Sequence, residues 1–375
     1  MIIYKKMKLG QELVSNVNKG QELTFKVLNV DVSVVNSIRR VILTEIPTLV
    51  FRGFPHYSNK INIKKNNTKF NNEYLKHRIS CVPIHIDDEK EFENIKNNYE
   101  IRVSVVNSEN KRLYVTTKDF KLFNKETDKE IKDKHLFRPD SISNDYIPIC
   151  CLMPRISDTD EPEELTMTIE FDIGTAKEDA CWNVVSKCMY INIPDEDRIE
   201  KEVKRLQLKE DDEKDFRLLE AQRIFIPNQY LMTVESIGVI ENERIVVKSC
   251  EYIKFRLTEL AAFLHKEGRL TEPSFVKDKY GLFEETNTPS SGMYYLRIEN
   301  DDYTIGKLIE KYLYYMFGKE IYYVSFKKEH PHDTHCLIHF AYKSKVDVGK
   351  IINDLTKVTE EVIKIYDKIE QSFRV

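Results

Sequence analysis

The chain has 375 residues, of which 41% are hydrophobic and 32% charged, and its formal net charge is −4. That length suits two or three domains with a sizeable core, and the mild acidity argues against a protein that coats nucleic acid through bulk charge. No apolar run reaches the ~20 residues of a bilayer-spanning helix, and the opening MIIYKKMKLG lacks the apolar stretch of a secretory signal, so we expect an intracellular protein with no membrane partner.

Residues 21–30 (QELTFKVLNV) read as a strand that feeds a helix over 33–46. In that helix Val34, Val35, Ile38, Val41, Ile42 and Ile46 fall at helical spacing on one face, while Asn36, Arg39, Arg40 and Leu43 cluster on the other. Asp31 or Ser33 can cap its start, and Pro47 stops it, because the residue before a proline avoids helical geometry. Spacing alone allows two readings: a solvated back, or a second face used on a partner.

From about 53 to 192 the text turns to strand-like runs such as YEIRVSVVNS, KRLYVTT, YIPICCLM and ELTMTIEFDIG, which predict a β-rich domain. Within it, KKNNTKFNNEYLK (64–76) reads as a polar, mobile surface segment. The mixed-charge stretch 195–222 predicts a solvated connecting helix. QYLMTVESIGV (229–239) and ERIVVKS (243–249) read as strands, 250–266 as a helix, and 267–292 as a linker rich in Pro, Gly, Ser and charge.

A second α+β unit follows. GMYYLRIEN reads as a strand and DYTIGKLIEKYLYYMFG as a helix with Ile305, Leu308, Ile309, Tyr312 and Met316 on one side, capped by Thr304 or Asp302 and ended at Gly318. IYYVSF and HCLIHFAY are strands, and 346–374 is a long helix whose apolar residues, Ile352 and Leu355 among them, recur every three to four positions. The outer parts of the first region and the whole of the last thus read as the same unit twice, able to bury their helices on each other as a pseudo-dimer. The expected fold class is α+β: two dimerisation units of sheet plus long helices, the first interrupted by a β-rich insertion. The boundaries are 1–52 and 228–268 for the first unit, 53–194 for the insertion, 195–227 for the connector, 269–292 for the linker and 293–375 for the second unit.

These residues resemble a family. VDVSVVNSIRRVILTEIPTLVF is similar to the motif shared by the bacterial RNA polymerase α subunit, the archaeal D subunit and the third-largest subunit of polymerase II, matched here by Asp31, Ser33, Asn36, Ile38, Arg39, Arg40, Glu45, Pro47 and Thr48. HRISCVPI supplies His77, Arg78, Pro83 and Ile84 to the segment that opens the inserted domain. IGTAKEDACWNVVSKCMY supplies Gly174, Lys177, Glu178, Ala180 and Trp182 to the one that closes it, and MTVESIG (232–238) resembles the returning strand. The last unit resembles the small α-like partner, the eleventh subunit of polymerase II or archaeal L, through Asp302, Thr304, Ile305 and Gly306 and through His330-Pro331, with His332 where leucine is usual. The resemblance implies that two chains separate in cellular enzymes are joined here, an arrangement similar to that in some large DNA viruses.

The resemblance implies a non-catalytic assembly subunit of a DNA-directed RNA polymerase. Its partners would be the largest and second-largest subunits and a small subunit of the tenth-subunit type, with DNA and RNA reached only through the complex. It implies a subunit interface at Asn36, Arg39, Arg40, Leu43, Thr48, His77, Arg78, Pro83, Lys177, Glu178 and Trp182, and internal pairing through Val34, Ile38, Ile42, Ile305, Gly306, Ile309, Ile352 and Leu355. Residence would be the virion and host cytoplasm in a viral setting and the nucleus otherwise.

Chemistry-bearing clusters are few. Asp87-Asp88 and Asp211-Asp212 sit in charged loops with nothing to converge them on two metal ions, and neither a phosphate-binding Gly-rich loop nor a Gly-x-Ser-x-Gly elbow occurs. No catalytic residue, cofactor or metal is expected. Seven scattered cysteines without a CxxC pair fit reduced thiols better than a disulfide framework or zinc site; adjacent Cys150 and Cys151 fit a buried strand. His330, His332, His335 and His339 are the alternative's only foothold. With His335 and His339 on one strand face they would seat the metal of a stand-alone hydrolase.

Overall fold

The computed structural model describes residues 13–18, 20–132, 136–155, 157, 161–267, 280–284 and 292–374. Among these the helices are α1 (Val32–Thr44), α2 (Asn72–Ser80), α3 (Glu89–Asn98), α4 (Glu196–Leu206), α5 (Glu210–Leu218), α6 (Asn242–Glu267), α7 (Ile305–Phe317) and α8 (Val348–Gln371). With four sheets beside them the fold is α+β. The chain divides into two compact units, one of Met1–Ile42, Lys187–Glu235 and Asn242–Val375, the other of Leu43–Ser186 and Ser236–Glu241.

The first unit holds two four-stranded sheets with the same order. In one, Val14–Asn18, Leu23–Leu28, Phe225–Ser236 and Val185–Pro194 lie side by side; in the other, Tyr280–Glu284, Met293–Glu299, His335–Tyr342 and Ile321–Lys327. Taken in chain sequence, both sheets run first, second, fourth, third. In both, a helix follows the second strand (α1, α7) and another follows the fourth (α6, α8). The helices carry the apolar stripes that bury this unit: α6 packs along α8 and α7 against α8. Val34, Val35, Ile38, Val41 and Ile42 of α1 are all buried, as are Ile351, Leu355, Val358, Val362, Ile365, Tyr366 and Ile369 of α8.

Four local expectations are corrected here. ERIVVKS is not a strand but the opening of α6. Val246, Cys250, Ile253, Leu257, Leu260 and Leu264 form one buried stripe at alternating four- and three-residue steps, and helical burial overrides the local β preference of Ile245, Val246 and Val247. The charged connector is two helices, broken at Gln207, whose left-handed φ of 53° ends α4. Part of the expected linker, Tyr280–Glu284, is a strand paired antiparallel with Met293–Glu299; the rest of that linker lies outside the described residues. Thr304 holds the N-cap position of α7 but makes no side-chain capping bond, and the first amide, from Ile305, donates to Asp301 Oδ1 at 3.2 Å, not to Asp302.

The second unit is built on a sheet in which Glu164–Gly174 pairs with Thr48–Phe51, Ile61–Asn66 and Tyr99–Val106. Lys121–Asn124 and Glu130–Ile131 extend it. Leu49, Phe51, Leu75, Ile79, Phe92, Ile101, Met167, Ile169 and Phe171 belong to its core. It also contains α2 and α3, which the β-rich reading did not foresee. The Lys/Asn-rich segment is ordered: Asn66 Oδ1 accepts the Thr68 amide at 3.0 Å, and Asn71 Oδ1 caps α2 by accepting the Tyr74 amide at 2.7 Å. Asn side chains favour such turns and caps, so a polar composition here builds structure.

Candidate assembly interface

Within the first unit, the polar face of α1 presents Asn36, Arg39 and Arg40, all half-buried. The two arginines differ in what they touch. Arg39 donates from Nε and Nη2 to Asn36 Oδ1 at 3.1 and 3.0 Å, one turn away on its own helix. Arg40 reaches the segment before α7, donating to Asp302 Oδ2 at 2.6 Å and Thr304 Oγ1 at 3.0 Å. Asn36 also lines an open cleft of about 410 Å³ together with Ser33, Tyr190, Lys311 and Tyr314. Of the residues named for internal pairing, Val34, Ile38, Ile42, Ile305, Gly306, Ile309 and Leu355 are buried and Ile352 is half-buried. A Cβ on Gly306 would stand 2.3 Å from the Phe326 ring, so the missing side chain is what lets α7 lie this close to its sheet.

Two polar contacts of this unit had no signal in local spacing. Ser37 on α1 and Tyr366 on α8 bring their hydroxyls to 2.5 Å in a fully buried setting. Arg256 on α6 faces Asp301, Nη2 to Oδ2 at 3.6 Å, with side chains only 7% and 5% exposed. Arg256 also donates to the Glu299 carbonyl at 3.3 Å. Burial pushes the Asp301 carboxyl up to about 6, against the pull of Arg256 and of the Asp302 and Ile305 amides.

In the second unit the candidate residues fall into neighbouring clusters. Lys177 Nζ pairs with Glu45 Oε1 at 2.7 Å, and its amide donates to the Thr44 carbonyl at 2.9 Å. Glu178 receives Arg52 Nη2 at 2.9 Å, while Arg52 Nε donates to Asp172 at 2.6 Å and its guanidinium lies 4.7 Å from the centre of the Trp182 ring. Burial alone would raise the Asp172 carboxyl, but hydrogen bonds from Lys96 and Arg52 outweigh it and hold it below its ordinary value. Trp182 is buried over Gly174, where an added Cβ would stand 2.6 Å from its ring. Thr48, Pro83 and Trp182 line one cleft. Arg78 donates from Nη2 to the Pro148 carbonyl at 2.6 Å, whereas His77 is exposed beside Phe54. Leu43 is half-buried on the last turn of α1. The Lys177–Glu178 pair therefore anchors a loop.

The histidines do not converge on one point. The His330 and His332 rings lie tilted to each other with centroids 5.1 Å apart, His335 Nδ1 lies 3.4 Å from Arg297 Nη2, and His339 stacks on Tyr295 at 5.6 Å. Among the described residues, no group of three His, Cys, Asp or Glu side chains is arranged to hold a metal ion, and no helix is long and apolar enough to cross a membrane.

A family model described as the RNA polymerase Rpb3/Rpb11 dimerisation domain matches residues 24–257, more than half of the chain. The chain belongs to that family. Among curated relatives of this Rpb3/Rpb11-type chain, "DNA-directed RNA polymerases I and III subunit rpac1" of Dictyostelium discoideum is 32% identical over 71 residues, 19% of each chain. "DNA-directed RNA polymerase subunit Rpo3" of Methanosphaera stadtmanae is 39% identical over 67 residues, 18% of this chain and 22% of the relative. The aligned stretch thus spans about a fifth of each relative's length. The hydrolase alternative gains no support from this family, nor from the dispersed histidines.

Proposed function

We propose that this chain is a non-catalytic assembly subunit of a multisubunit DNA-directed RNA polymerase, carrying both halves of the Rpb3/Rpb11-type dimer in one polypeptide. The observation that carries the proposal is the repeated sheet order of the first unit, each sheet followed by helices that pack together across the pair. The family match covers the first copy and its insertion; the second copy, beyond residue 257, has the topology its partner would need. Joining the halves makes their pairing intramolecular, at an effective concentration on the order of mM. The subunit would then offer a preformed platform on which the second-largest and the largest subunits dock, with a small tenth-subunit-type protein beside them. The half-buried Asn36–Arg39 face suits such docking, because an arginine fork binds carboxylates and carbonyls at a rim. Affinity purification of the tagged chain from its native source, with mass spectrometry of what accompanies it, tests the reading. Two large polymerase chains and RNA synthesis in the eluate are expected; a lone 44.4 kDa species would refute it.

A further inference from the structure

Cys81 is the only exposed cysteine of the seven, and four of the others are buried. It forms the C-cap of α2. Cys181 lies in the short turn Ala180–Trp182, and its thiol donates to the carbonyl of Ser80, the residue before Cys81, at 3.7 Å. Both cysteines line the same cleft, and their thiols are close enough to interact directly. Two cysteines that far apart in sequence thus line one surface opening.

We propose that Cys81 and Cys181 form a reversible disulfide when the chain meets hydrogen peroxide. Cys81 is the thiol that solvent reaches, so its thiolate attacks the peroxide, forming a sulfenic acid and releasing hydroxide. The Cys181 sulfur then displaces the sulfenic hydroxyl, which leaves as water with the Cys181 proton. In sum two thiols are oxidised, one peroxide is reduced, and two waters are made. Burial and the Asp179 carboxylate push the Cys181 thiol up, so Cys181 must give up its proton in the resolving step itself, as its sulfur attacks. The bond would tie the end of α2 to the turn carrying Trp182, across the cleft lined by Thr48 and Pro83. The inference holds whether or not the chain works in a polymerase.

The test is peroxide treatment of the full chain, followed by non-reducing digestion and mass spectrometry, with Cys81→Ser and Cys181→Ser as controls. The expected result is one new cross-linked peptide joining the Cys81 and Cys181 fragments, reversed by dithiothreitol, absent from both variants, and accompanied by a higher Tm in the oxidised wild type because a long loop is closed. In Cys181→Ser, Cys81 should progress to sulfinic acid instead. A link from Cys81 to Cys151, a disulfide between two chains, or sulfinic acid at Cys81 in the wild type would each overturn the proposal.

Discussion

The Ser37 and Tyr366 hydroxyls meet at 2.5 Å between α1 and α8, both fully buried. The Ser37 hydroxyl donates to the Val34 carbonyl at 2.6 Å, so the proton in the short contact comes from Tyr366. The pair is therefore directional, and its two truncations are unequal. Tyr366→Phe leaves Ser37 still bonded to Val34 and should cost about 1 kcal/mol. Ser37→Ala strands a buried phenol donor and should cost more, up to ~3 kcal/mol. Urea unfolding of both variants checks the order.

Asp301 gives the chain a pH dependence of unusual sign. Its folded-state carboxyl is pushed up to about 6 by burial, above the ~3.9 of an unfolded Asp. Between these values the folded state holds the proton and the unfolded state does not, so the stability from this group falls as pH rises from about 4 to about 6. The full loss is on the order of 3 kcal/mol. Asp301→Asn cannot titrate, so the stability of wild type relative to this variant should decline from pH 4.5 to pH 7 in denaturant titrations.

The two arginines of α1 should separate in experiment. Arg40 and Asp302 are 29% and 35% exposed, and a double-mutant cycle on their pairing should return at most about 1 kcal/mol of stability. Arg39→Ala removes a contact confined to one helix turn, so the isolated chain should lose no more than about 0.5 kcal/mol. Capture of a large polymerase subunit should nonetheless weaken by roughly tenfold or more. Normal capture by Arg39→Ala would remove that residue from the docking face.

Gly174→Ala should destabilise the second unit by about 1–3 kcal/mol, because the new methyl group meets the Trp182 ring at 2.6 Å in a packed site with little room to yield. Trp182 is the only tryptophan in the chain. A shift in its emission alongside a lower Tm would tie the loss to this contact.

Gln207 ends α4 with φ 53°, a conformation that strains a residue bearing a Cβ. Gln207→Gly should raise stability by about 0.5–1 kcal/mol, measured as a higher midpoint in urea.

The parts of the fold legible in the sequence were those whose signal is local and one-sided. α1, α7 and α8 each bury a single stripe, and their spacing marks them. α6 was half-hidden because Ile245, Val246 and Val247 look like a strand when read alone; only a window carried through Leu264 exposes the four–three stepping of its buried face. The strands Val14–Asn18 and Tyr280–Glu284 are five residues each, too short for periodicity to separate them from loop. Of the candidate site, the motif residues could be named, but not which arginine looks inward. Arg40 meets Asp302 and Arg256 meets Asp301 across more than forty residues in one case and more than two hundred in the other, and no short-range pattern encodes such pairs.

The pairing of α1 with α8 also bears on how the chain is made. Leu23–Leu28 bonds to Phe225–Ser236, and the Ser37 hydroxyl waits for Tyr366. At ribosomal rates of roughly 5–20 residues per second, Ser37 is made on the order of tens of seconds before Tyr366, its buried partner on α8. Splitting the two halves into separate polypeptides would replace that fixed delay with a search whose length depends on how much of the second half is present.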